Sequence, residues 1–250
     1  TAVGDSGTIS RRIGVGPIES IHWILPAARL LIGNALNSSN IPPALITGNN
    51  PDSIRSSSFG EPLTPTNFNI KDDSARGVFV DRSGQRIFEL TTSSKQYASG
   101  LNDYSAEDLS IFTPDFNSSG ITRIASQLKP DPRVHCVRTD GTVGLLIFDR
   151  AEDVICWVQV ETDGKVLDVV VLPGTSEDQV YYLIERTING VTKRYLEKWA
   201  HETQAEGATI NKMADSFVEY SGSKKSTIGG LLHLEGETVS AWGNGKDLGT

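Results

Sequence analysis

The chain has 250 residues, with 31 acidic against 23 basic side chains, a formal net charge of −8 and a pI near 5.0. That balance argues against a protein that coats nucleic acid or anionic lipid, because neutralising phosphates takes surplus Lys and Arg. No apolar run approaches the roughly 18 residues of a membrane span, and the opening TAVGDSGTISRR lacks the basic-then-apolar order of a secretory signal, so a soluble chain with a sizeable core is expected.

In chain order, IESIHWILPAARLLIGNAL from Ile18 reads as two apolar strands. Gly33 to Gly77 is rich in Asn, Ser, Pro and Gly, the composition of a long loop excursion. VFVDRSGQRIFEL then gives two strand-like runs around Ser83-Gly84. In DYSAEDLSIF the spacing of Ser105 and Asp108 is that of a capping box, which predicts a short helix ended by Pro114.

From Arg133 to Trp199 the signal is clearest: Asp140-Gly141, Asp163-Gly164 and Asn189-Gly190 each separate two strand-like runs. Such pairs accept the positive φ that tight hairpins require. The segments from Ile121 and Val166 also share one order, an apolar strand, a Pro-bearing turn, a longer strand, an Asp/Asn-Gly turn and a return strand. Their period of about 45 residues fits a four-stranded propeller blade. The expected fold is therefore all-β, with β-propeller-like antiparallel hairpins over residues 1–203, one short helix, and a linker with an incomplete small β domain over 204–250. A β-sandwich is the rival architecture.

Several groups could carry chemistry. In an extended GLLHLEGETV, His233, Glu235 and Glu237 share one face. A metal needs converging ligands, whereas strand neighbours two apart stand nearly parallel, so the solvated face of a strand is the expectation. His135 and Cys136 are adjacent and point to opposite faces of a strand, and the sequence supplies no partner for a nucleophile pair. Asp72-Asp73, Glu152-Asp153 and Glu177-Asp178 sit at turn positions. Paired carboxylates can hydrolyse glycosides across a cleft, although solvated turn charges are far commoner. Arg11-Arg12, Lys193-Arg194 and Lys224-Lys225 lack a Gly-rich phosphate loop. Cys136 and Cys156 lie in strand-like flanks and are expected as buried free thiols.

The order LTPTNFNI, VFVDRSGQRIFEL, YSAEDLSIFTP, CVRTDGTVGLLIFDRAEDVICW, YYLIERTINGVTKRYLEKW and GLLHLEGETV resembles tail structural proteins of bacteriophages, particularly the nozzle (tail tubular protein B) family of short-tailed phages. The likeness covers most of the chain from about Ile18 onward. It implies a non-enzymatic, propeller-based virion subunit without cofactors, made in the host cytoplasm. Such a subunit forms a sixfold ring below the tail adaptor, continues the DNA-ejection channel without binding DNA specifically, and adjoins the tail fibres. Related chains tend to carry a small β domain after a segment like GLLHLEGETV, and AWGNGKDLGT looks like the beginning of one more hairpin before Thr250. The alternatives are a propeller that binds host-surface glycan and a cell-wall hydrolase working through an acidic pair.

Overall fold

A computed structural model of the chain describes residues 21–26, 30–34, 38–41, 55–57, 66–69, 75–81, 83–96, 102–149, 152–205 and 214–250. They form a succession of antiparallel sheets in chain order. The first sheet runs β1 (Ile21–Pro26), β2 (Leu30–Asn34), β3 (Ser38–Ile41) and β4 (Arg55–Ser57). The second runs β5 (Thr66–Asn69), β6 (Ala75–Val80), β7 (Ile87–Gln96) and β8 (Asn102–Asp108). The third runs β9 (Ile121–Gln127), β10 (Arg133–Arg138), β11 (Val143–Asp149) and β12 (Val154–Val160). The fourth has three strands, β13 (Lys165–Leu172), β14 (Gln179–Ile188) and β15 (Val191–Lys198). Each sheet is a meander, every strand pairing antiparallel with the one before it in the chain.

The core lies between the sheets. Val78, Val80 and Ile87 of the second sheet meet Ile124, Val134, Cys136, Leu146 and Phe148 of the third. The opposite face of the third sheet, through Val137 and Val143, meets Val166, Val169, Val180 and Ile184 of the fourth. The third sheet is thus buried on both faces: β10 and β11 are buried almost without interruption, VGLLIF through apolar residues and RVHCVR with His135 and Arg138 also inside. Its outer strand β12 alternates instead. The first strands of three successive sheets also lie side by side, β5 against β9 and β9 against β13.

Four expectations are corrected. The stretch 33–77 holds β3, β4 and β5 rather than one loop, since pairing with neighbours outweighs the poor strand propensity of Ser and Asn. Ser105 pairs with Thr91 and Asp108 with Phe88, so the capping-box segment is strand β8. Residues 109–119 then form consecutive turns, with the Asp108 carboxylate accepting from the Ser110 N–H at 2.8 Å. The α-helix among the described residues is α1 (Glu202–Ala205). GLLHLEGETV is not a strand: Leu232–Leu234 is a 3₁₀ turn between Gly230 and Gly236, both at positive φ, which breaks the extended backbone. Finally, Cys156 is exposed, on β12, while Cys136 is buried, and both are free thiols.

The C-terminal segment contributes one small hairpin, β16 (Ala241–Gly243) and β17 (Lys246–Gly249). None of residues 214–250 is buried. No described helix is long and apolar enough to cross a membrane.

Candidate functional site

The Gly-bearing turns have different tasks. Asn189-Gly190 joins β14 to β15 with φ of 49° and 75°, a type I′ turn. Asp140-Gly141 lies between β10 and β11, with Gly141 at φ 88°. The Asp140 carboxylate accepts from the Thr142 N–H at 3.0 Å and the Thr142 hydroxyl at 2.6 Å. The Gly141 carbonyl in turn accepts from the Val166 N–H at 2.9 Å, tying the third sheet to the fourth. Asp163-Gly164, expected in a hairpin, is instead the crossing between sheets, because β12 and β13 do not pair. Gly164 is required there, since a Cβ would stand 2.8 Å from the Glu185 carbonyl oxygen.

Between these two sheets sits a buried polar relay. The Tyr182 hydroxyl is 2.5 Å from His135 Nδ1, His135 Nε2 is 3.0 Å from Gln127 Oε1, and Gln127 Nε2 donates to the Lys129 carbonyl at 2.7 Å. Gln127 Oε1 can only accept, so His135 carries its proton on Nε2 and Nδ1 accepts from Tyr182. Trp199 closes the cluster, edge-on to His135 at 5.5 Å. Burial, aided by the Arg133 charge, lowers the His135 pKa to about 3, and burial holds Tyr182 well above the ordinary phenol value. Both groups stay neutral across the physiological range. Cys136, on the opposite face, lies in the core with its thiol pushed up by burial. His135 and Cys136 are therefore not brought together.

Next to the relay, Asp178 ties two turns together. Its carboxylate accepts from the N–H groups of Leu128 (2.8 Å), Lys129 (3.0 Å) and Gly174 (3.1 Å). Burial pushes its pKa up, but these donors outweigh it and hold the group below the usual carboxylate value. Its neighbour Glu177 accepts from the Glu202 N–H at 3.0 Å, at the start of α1. Glu202 also pairs with Arg133. Glu152-Asp153 lies at the exposed turn before β12, with Asp153 at φ 53°. Asp72-Asp73 and Arg11-Arg12 lie outside the described residues.

Arg186 makes the densest electrostatic contact. Its Nε and Nη2 grip Glu197 side-on at 2.5 and 2.7 Å, Nη1 reaches Asp215 at 3.1 Å and the Asp163 carbonyl, and Nη2 donates to the Thr162 hydroxyl at 2.7 Å. All five donors of the guanidinium are used. Glu197, first, raises the Arg186 pKa further above its already high value. Asp215 thereby ties the C-terminal segment to the fourth sheet. Arg194 of the Lys193-Arg194 pair meets Glu185 at 3.3 Å, and Lys225 of the Lys224-Lys225 pair lies over the Tyr220 ring at 4.6 Å. His233 Nε2 stands 2.9 Å from the Ser216 hydroxyl. Among the described residues no three His, Cys, Asp or Glu are placed to hold a metal ion.

Sequence reading picked out the turns but missed Arg186, Gln127 and Tyr182. A signal existed for Arg186: Val180, Tyr182, Ile184 and Arg186 occupy alternate, buried positions of β14. An Arg in phase with a strand's buried face must find partners. No family model matches the chain, and no curated protein matches it.

Proposed function

We propose that this chain is a non-enzymatic structural subunit of a bacteriophage tail, a nozzle protein whose blade-like sheets build a sixfold ring. The ring continues the DNA-ejection channel, meets the adaptor on one side and carries fibres at its rim. The observation that carries this reading is the serial stacking of the sheets. Three successive meanders pack face to face, the middle one is buried on both faces, and β5, β9 and β13 run beside one another. Blades set around a common axis have this arrangement. A two-layer sandwich gives each sheet a single buried face, so the stacking favours blades over that rival.

Two further features support a geometric role. Several buried titratable groups have structural partners: His135 links the third and fourth sheets through the relay, Asp178 holds three backbone amides of two turns, and Arg186 ties β14 to β15 and to the C-terminal segment through Glu197 and Asp215. The net charge of −8 also suits a conduit that repels phosphate instead of releasing counterions on contact. Antibody labelling of intact particles, imaged by electron microscopy, tests the proposal. Label at the distal end of the tail is expected; particles that never take label at the tail overturn it and put the glycan-binding and hydrolase alternatives first.

A further inference from the structure

A stack of repeated units stays soluble when its end unit turns a polar face to water. The fourth sheet does not do so. On β14, Val180, Tyr182 and Ile184 are buried towards the third sheet, so the alternate residues Tyr181 and Leu183 lie on the outer face. The register adds Val170 and Leu172 of β13, across from Tyr181 and Gln179, and Leu196 of β15, across from Leu183. Val170, Leu172 and Leu196 are 46%, 49% and 68% exposed. An antiparallel sheet with one solvated face carries polar residues there; five apolar residues together on this face mark a contact surface.

We propose that this face is covered by the first sheet of a neighbouring copy, so that the stack of sheets runs on from chain to chain. The second, third and fourth sheets already pack face to face in chain order; the first sheet precedes that series and the fourth ends it. The first sheet has the sequence of one packed on both sides. IHWILP and LLIGN are apolar at nearly every position, and successive strand residues alternate between faces. A single neighbouring sheet covers one such face, so a second neighbour is needed. Ile24, which pairs with Ile32, is 53% exposed, as Leu196 is in its turn, so these two positions do not cover each other within one chain. The contact joins unlike faces and is therefore heterologous: copies add head to tail and close into a ring where the rotation allows. The polar sixfold ring proposed above has contacts of this kind, and the inference rests on that reading only for the number of copies.

Ile24→Cys and Leu196→Cys, made in separate chains, test the pairing of faces, each in a Cys156→Ser background because Cys156 is the exposed native thiol. Co-expressed and treated with a short bis-maleimide, the two chains are expected to give a linked pair of twice 27.0 kDa containing one of each. Either chain alone is expected to link far less, and a chain carrying both substitutions to give a ladder of linked copies. Sedimentation equilibrium of the unmodified chain is expected to give a mass above 27.0 kDa, and Leu196→Glu to return it to the single-chain mass with an unchanged far-UV spectrum. If Leu196→Glu loses its fold, the cysteine pair still decides. A link closed within one chain, equal linking of each chain to its own kind, no link at all, or a single-chain mass at every concentration overturns the proposal. The tail assignment fails separately, by absence of the chain from particles, whatever the links show.

Discussion

Lowering the pH from 7 to 5 is expected to weaken this fold through one side chain, His135. Both its ring nitrogens are engaged, and burial, with the Arg133 charge adding to it, sets its pKa at about 3. In the unfolded chain the same imidazole titrates near 6.5. Below that value the unfolded state takes up a proton that the native state refuses, so this contribution is complete above pH 6.5 and drains away as the pH falls towards 3. Each pH unit inside the window costs about 1.4 kcal/mol, which makes about 2 kcal/mol by pH 5. Asp178 and Asp215 have lowered pKa values; their stabilisation is present above the ordinary carboxylate range and is lost only below it, so they add little to this interval. Urea denaturation at pH 7 and pH 5, for the unmodified chain and for His135→Gln, isolates the effect. The variant is expected to be weaker at pH 7, having lost the ring and its edge contact with Trp199, but to lose about 2 kcal/mol less than the parent on acidification. Equal pH dependence in the two proteins would refute the assignment of a neutral, saturated His135.

Other substitutions probe the same junction. Gly141→Ala forces an L-residue to φ 88° and sets a Cβ 2.9 Å from the Lys165 side chain, so thermal unfolding should show a loss of about 3 kcal/mol. Gly190→Ala meets no atom within 4 Å and should lose only about 1 kcal/mol, from the left-handed backbone alone. Asp178→Ala strands three N–H groups and is expected to cost about 3 kcal/mol at pH 7 in a denaturant titration. Arg186→Met leaves Glu197 and Asp215 without their cation, for a loss of about 3 kcal/mol. Asp215→Asn should leave the sheets intact while limited proteolysis removes the C-terminal segment faster.

Turn chemistry and apolar runs were the legible part of this chain. The Asn189-Gly190 hairpin and the shared order of the segments from Ile121 and Val166 follow from local backbone physics, and the third and fourth sheets reproduce that order. What local signals could not supply was pairing at a distance. Asp163-Gly164 has the same composition as a hairpin turn, yet the chain there leaves one sheet for the next, a choice set by the packing of Val137 and Val143 against Val166 and Val169. Ser105 carried a helix-start pattern that the ladder to Thr91 overrode, and the glycines at 230 and 236 broke an alternation that otherwise read as a strand. The relay was hidden for a similar reason: Gln127 and His135 of the third sheet meet Tyr182 of β14 and Trp199 after β15 only once the sheets stack.

Counting copies tests the central claim most directly. Quantitative peptide mass spectrometry on purified phage particles would compare this chain, as the proposed nozzle subunit, with the portal protein. A ratio near one half is expected for a sixfold nozzle beneath a twelvefold portal. Absence from the particle, or only trace copies, would contradict the account.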